Sequence, residues 1–353
     1  MSTTNLNAVD ALITETADRL FARLCTHEAI QRAEELGSAP EIWSAFAETG
    51  FPWISIPEEA GGSGGSLLDA LEVLRLVGYH AAPIPAAETG MLGGWLLASA
   101  GLAIPEGIVT VAPGHRADRL TLADDGTLSG TVHMVPWGRA AERLAVLVDG
   151  HVVSVAAEQA KVEPQTSLAG EPRDSLTFDR ATVESAPAPD GVDDAAFRLR
   201  GALSRVALMG GAIEKMSQLT VTYTNERKQF GQAVARFQAV QQHLVWAAQD
   251  AALARSVAEI AGLAASRGPA EFEIASAKLN ANQAATRATK ACHQAHGAMG
   301  MTQEYPLHHS SRRLWAWRSE YGGTAEWAEV VGRAAVAAGA DGLYPLITGG
   351  STA

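Results

Sequence analysis

The chain has 353 residues, 47% of them hydrophobic, and a formal net charge of −12 at neutral pH. That length exceeds what one small core organises, so two or three substructures are expected. The acidic balance argues against a nucleic-acid backbone or an anionic membrane as partner, and the two cysteines, Cys25 and Cys292, lack the spacing of a disulfide framework or a zinc site and read as core thiols.

Residues 1–7 are polar and lack a basic start followed by an apolar stretch. No uninterrupted apolar run reaches membrane-spanning length, so cytoplasmic residence without a membrane partner is expected. Residues 10–103 show a helical pattern rich in Ala and Leu, broken at the Gly-rich stretch 61–65. That stretch has neither the dinucleotide fingerprint nor the Lys-bearing phosphate loop and reads as a hinge loop. Short β-rich runs follow at 108–111, 120–122, 144–148 and 152–155, with Asp125-Gly126 and Asp149-Gly150 as hairpin turns. The Pro- and Gly-containing stretch 185–191 reads as a linker, after which helical periodicity returns to about residue 338.

In that last part Leu203, Val206, Met209, Ile213, Met216 and Leu219 predict one buried helical stripe, and Phe237, Val240, Leu244, Ala248 and Ala251 a second. Arg267-Gly268-Pro269 is a short turn between long antiparallel helices, so a bundle is expected, with an outer face able to meet another subunit. The fold class is mainly α with a small β domain: an N-terminal helical domain at 1–105, a middle β domain at 106–188, and a C-terminal four-helix bundle at 189–353. No nucleophile elbow and no paired-histidine metal motif occurs, and His308-His309 reads as a partly exposed pair.

The informative segment runs from Glu226 through Arg227, Phe230 and Gly231 to Gln238. Arg227 could present a guanidinium fork to a pyrophosphate, Phe230 could pack on a planar ring, and Gln238 could bond an adenine or ribose edge. A charged, Gly-broken helix end explains the same residues. The segment resembles the Arg-x-x-Phe-Gly…Phe-Gln pattern of the acyl-CoA dehydrogenase family, and two more family patterns follow in order. Gln294-Ala295-His296-Gly297-Ala298-Met299-Gly300 through Glu304-Tyr305-Pro306 is similar to Gln-x-x-Gly-Gly-x-Gly…Glu-Tyr-Pro, and Tyr321-Gly322-Gly323-Thr324-Ala325-Glu326 to the closing Tyr-Glu-Gly-Thr-x-Gln/Glu. Residues 56–62 near the N-terminus support the likeness. The resemblance implies an FAD site at a subunit interface, with Arg227, Phe230, Gln238, Gln294, Gly297, Thr324 and Glu326 as its binding residues and an acyl-CoA thioester as substrate.

The departures from the family matter as much. Family members remove the α-proton with a glutamate, and Gly322 stands in its usual place; the alternative seat, roughly 25 residues before the Arg-x-x-Phe-Gly element, falls on Gly201. No catalytic residue is therefore assigned. In the middle domain Met134-Val135-Pro136 stands where a ring-holding Trp-x-Thr is usual, and Pro has no N–H to donate. Divergence in a domain that still binds FAD by other contacts is one account of this. The resemblance implies instead a partner subunit like those lacking the glutamate in the heterotetrameric dehydrogenases of actinobacterial steroid side-chain breakdown, paired with a homologous base-carrying subunit. The alternatives are a self-sufficient homotetramer using Glu304 or Glu320 as base, and a flavin-free structural or regulatory helical protein.

Overall fold

The computed structural model describes residues 9–348, so the polar start at 1–7 lies outside the described residues. The chain opens with α1 (Ala11–Leu24), α2 (His27–Leu36), α3 (Pro40–Ala47) and α4 (Leu67–Tyr79). Local chemistry marks three of their starts. Asp10 accepts the Leu12 amide, Thr26 accepts the Ala29 amide, and Ser66 and Asp69 form a reciprocal capping box. In the Gly-rich loop the amides of Gly62, Ser63 and Gly64 donate to Pro57, Trp53 and Ile56 carbonyls, so they point inward and are not available to an anion. A π-helical turn, Ala87–Gly94, leads into α5 (Trp95–Ser99).

The middle part holds β1 (Val109–Val111), β2 (Arg119–Leu122), β3 (Thr127–Pro136), β4 (Arg143–Val148), β5 (His151–Ala156), β6 (Lys161–Glu163) and β7 (Arg173–Pro187). They form a seven-stranded sheet in the order β1-β4-β5-β7-β3-β2, with β6 on β7. Both Asp-Gly pairs sit in hairpin turns, and Asp149 and Gly150 each take positive φ. The expected linker at 185–191 is shorter than the sequence suggests. Ser185 and Ala186 pair with Val153 and Val152, and Pro187 ends the strand opposite His151, where a missing N–H is tolerated.

The last part comprises α6 (Asp194–Glu226), the two-residue strands β8 (Lys228–Gln229) and β9 (Gln232–Ala233), α7 (Gln238–Ala265), α8 (Glu271–His296), α9 (Leu307–Trp317) and α10 (Thr324–Thr348). Helix α6 is central: it packs on α4, α7, α8 and α9, and its stretch from Gly201 to Ile213 is buried on all sides rather than along a single stripe. The second stripe is corrected. On α7 the buried residues are Ala247, Asp250, Ala254, Ala261 and Gly262, because close helix packing uses the small side chains, whereas Phe237, Val240, Leu244 and Ala251 are half-buried and Ala248 is exposed. Helix α10 continues past residue 338, kinks at Gly339 and includes Pro345. By length and composition it is apolar enough to cross a membrane. His309 is only 2% exposed, since α9 packs on the start of α2 and brings its Nε2 within 2.8 Å of His27 Nδ1; the partly exposed pair expected at 308–309 is thus half wrong. Cys292 is buried and Cys25 half-buried, and burial pushes both thiols up, to about 11 and about 12. One hydrophobic core runs through the N-terminal helices and the bundle, and the sheet has a second.

Candidate functional site

The residues singled out by the sequence fall at the two ends of α6. At its C-terminal end Arg227 caps the helix from extended backbone and is exposed. The β8–β9 turn that follows holds Phe230 at φ +49 and Gly231 at φ +78. Phe230 is 92% exposed and touches Phe237 edge-on, with ring centroids 6.2 Å apart. The last turn of α8 arrives at the same end, because His296 stacks on Tyr223 of α6 at 4.5 Å. Arg227, Phe230, Gln238, Gln294 and Gly297 are thereby brought together. All five are exposed, and a Cβ added at Gly297 (φ +60) would meet nothing within 4 Å, so a ligand backbone or phosphate has open access to it.

Thr324 and Glu326 lie at the other end. Glu326 accepts Arg198 Nη2 at 2.6 Å and the Gly323 amide at 3.2 Å, which places the start of α10 beside the first turns of α6. At about 1.5 Å of rise per residue, roughly 40 Å of helix separate Arg198 from Arg227. The seven candidates are therefore two half-sites, too far apart for one dinucleotide to touch both.

Beside Thr324 and Glu326 a cleft of about 910 Å³ opens between the sheet and the bundle. Val132 and Met134 line its sheet side, and Phe197, Arg198, Tyr321 and Gly322 its bundle side. Met134 sits in a bulge of β3, at φ +56 and 39% exposed, so a thioether rather than a hydrogen-bond donor faces the cleft. The rim carries Asp118, Asp149 and Asp194.

Both expected seats for a catalytic base adjoin this cleft, and both are packed against neighbours. Gly322 has φ +112, and a Cβ on it would lie 2.4 Å from Trp327 Nε1 and 2.8 Å from Arg198 Nη2. The Arg198 guanidinium in turn stacks 4.8 Å above the Trp327 ring. A Cβ on Gly201 would lie 2.3 Å from Cδ1 of Tyr321. Tyr321 is 7% exposed, and burial raises its phenol well above the usual range, so it stays protonated and offers no base.

Neither of the two carboxylates expected as substitutes stands free in the cleft. Glu304 is exposed, next to Tyr305 whose ring is 5.4 Å from Tyr223, so it belongs to the far end of α6. Glu320 lines the cleft but is bonded by Arg205 Nε at 2.6 Å and by Arg173 Nη2 at 2.8 Å. Burial alone would raise its pKa, but the two guanidiniums outweigh it and hold the carboxyl at about 2, leaving a very weak base. Glu320 is one member of a buried chain of ion pairs, Glu88–Arg205–Glu320–Arg173–Glu171–Arg313–Glu34, that ties the N-terminal helices, the sheet and the bundle together. Sequence reasoning missed Arg198, Arg205 and Arg173. A signal for the first two existed: Arg198, Gly201 and Arg205 share one face of α6 by their spacing of three and four. Among the described residues no cluster of His, Cys, Asp and Glu could hold a metal ion.

A family model for the acyl-CoA dehydrogenase C-terminal domain matches residues 198–338, and one for the acyl-CoA dehydrogenase N-terminal domain matches residues 9–103. Acyl-CoA dehydrogenase IpdE2 of Mycolicibacterium smegmatis is 27% identical over 303 residues, 84% of this chain and 89% of that protein. FadE27 of Mycobacterium tuberculosis, also an acyl-CoA dehydrogenase, is 28% identical over 336 residues, 82% and 87% of the two chains. Among solved structures, the ChsE4-ChsE5 complex from Mycobacterium tuberculosis has a chain alike in fold at a TM-score of 0.83 and 24% identity, covering 95% of this chain and 98% of its own. A steroid ACAD variant, Tcur3481-Tcur3483 G363A, matches at 0.82 and 23%, covering 93% and 98%.

Proposed function

This chain belongs to the acyl-CoA dehydrogenase family, whose domain models match it at residues 9–103 and 198–338, and on that premise we propose that it is the non-catalytic partner subunit of a heteromeric, FAD-dependent acyl-CoA dehydrogenase. The observation that carries this reading is the packing of Tyr321 against Gly201 and of Trp327 and Arg198 against Gly322, which leaves no room for a general base at either seat. A positioned base is worth about 10²–10⁴ in rate. With Glu320 held at about 2 and Glu304 at the far end, neither carboxylate is placed to serve a self-sufficient enzyme as its base.

The far-end donor set suits a flavin dinucleotide. Arg227 offers a planar fork for a pyrophosphate, Phe230 an exposed ring for the adenine, Gln238 and Gln294 amides for its polar edges, and Gly297 an unobstructed backbone approach. Because these residues lie about 40 Å from Thr324 and Glu326, the flavin they hold is one seated against a neighbouring subunit's cleft. When bound, FAD supplies the hydride acceptor for α,β-desaturation. This chain's part is to bind and orient it, while the neighbour supplies the base that removes the α-proton. A homologous, base-carrying subunit is the partner this requires, and the likeness in fold to a chain of the ChsE4-ChsE5 complex supports that choice. A bulky, steroid-like CoA thioester is the substrate class proposed, by likeness to the steroid ACAD Tcur3481-Tcur3483.

Co-expression with a base-carrying acyl-CoA dehydrogenase homologue tests the proposal. The pair should co-purify with flavin and desaturate an acyl-CoA, while the chain alone should do neither at family rates. Turnover by this chain alone would overturn the assignment.

A further inference from the structure

Lys278 stands in the middle of α8 with no exposed surface. Its Nζ faces Asn282 Oδ1 at 2.8 Å and the carbonyls of Arg318 at 3.1 Å, Trp317 at 3.2 Å and Gly322 at 3.3 Å. Every one of these partners is uncharged. Trp317 ends α9 and Arg318 is its C-cap, so the ammonium satisfies carbonyls that the helix leaves without donors. Gly322 lies two residues before α10. One cation thus gathers the whole 318–323 turn, which floors the cleft with Glu320, Tyr321 and Gly322 and runs directly into Thr324 and Glu326.

We propose that Lys278 is a positioning residue whose ammonium sets this turn, and with it Thr324 and Glu326, for flavin contact, and that losing its proton loosens the contact. The idea rests on the flavin-binding reading above, extended to the near half-site: Thr324 and Glu326 meet a second flavin, distinct from the one that Arg227 and its neighbours hold. An ammonium donates three hydrogens to the four oxygens, whereas a neutral amine donates two and turns a lone pair on a carbonyl. Burial is the largest influence on the group and disfavours the charge. Glu320 on the turn and Glu326 on α10 favour it, and Arg205 on α6 and Arg318 on the turn oppose it, with a result of about 7 against the usual 10.5. The proton therefore comes and goes near neutral pH.

The sign of this linkage separates positioning from a merely structural role. The folded pKa lies below the unfolded one, so between about 7 and 10.5 the folded chain binds fewer protons, and Lys278 makes global stability rise with pH. Flavin retention should move the opposite way.

The test follows both across that pH range in the assembled complex: flavin retained after gel filtration, and amide exchange of residues 318–323 corrected for intrinsic rates. The expected result is protection of the turn, and retention of the near half-site's flavin, that both fall as pH rises through about 7, with Lys278→Met roughly tenfold poorer in that flavin and insensitive to pH while the flavin held by Arg227 and its neighbours is unchanged. A Lys278→Met complex with the wild-type pH profile, or a turn whose protection is flat, overturns the proposal. If that variant fails to fold, the wild-type exchange profile decides alone. A wild-type complex without flavin at any pH sinks the functional reading and the flavin part of this proposal together, while the exchange profile still judges the turn.

Discussion

The two ends of α6 have opposite characters. At the C-terminal end Arg227, Phe230, Gln238, Gln294 and Gly297 are exposed, and Phe230 projects almost entirely into solvent. At the N-terminal end the seats at Gly201 and Gly322 are packed by Tyr321, Trp327 and Arg198, and Glu320 is tied to two arginines. A single vacant seat could be refilled by one substitution. A seat into which neighbours have packed cannot, because the adjoining side chains now depend on the absence of a Cβ. The contrast suits a chain that keeps what another subunit reads and has closed what it would use alone.

The largest way to disturb the closed end is to cut its ion-pair chain. Arg205→Ala leaves Glu88 and Glu320 buried without their shared partner and should cost about 3–5 kcal/mol in urea denaturation. The same chain predicts acid sensitivity. Glu320 is depressed in the folded state, so its stabilisation is complete above the ordinary carboxylate range near 4.5 and is lost as pH falls towards about 2. A variant as stable as the wild type, unfolding at the same pH, would show that the network is not what holds this end.

Next in size is Gly322→Glu. At φ +112, with an indole nitrogen 2.4 Å from the new Cβ, it should cost about 1–3 kcal/mol and give no dehydrogenase activity. Bleaching of bound flavin by an acyl-CoA in this variant homomer would mean that only the base had been lost. Gly201→Glu should behave likewise, because it collides with the Tyr321 ring. The smallest effect belongs to the open end. Arg227→Lys should leave stability unchanged and lower flavin occupancy of the complex roughly tenfold, as a point charge replaces a fork; unchanged occupancy would remove Arg227 from the site.

Much of this was legible in the sequence where local chemistry decides. The helix-to-sheet-to-helix order and the Asp-Gly turns could be read from neighbouring residues, whereas the empty positions at Gly201 and Gly322 came from the family resemblance. The long strands β3 and β7 were not, because bulges interrupt the alternation of β3 and Ala-Pro-Ala-Pro at the end of β7 reads as a linker. The buried face of α7 was misjudged because close packing selected its alanines over its larger side chains. Nothing local announces the ion-pair chain, in which Arg205 meets Glu88 and Glu320 across separations of 117 and 115 residues. The division of the seven candidate residues between the two ends of α6 needed the length of that helix, which pattern matching does not weigh.

The most direct test of the central claim is the flavin content of this chain, alone and in complex with a base-carrying homologue, followed by anaerobic addition of an acyl-CoA. The account predicts little flavin on the isolated chain, flavin in the complex, and bleaching there that depends on the partner's carboxylate and on Arg227 of this chain. Full flavin occupancy of the isolated chain, bleached by substrate, would contradict it.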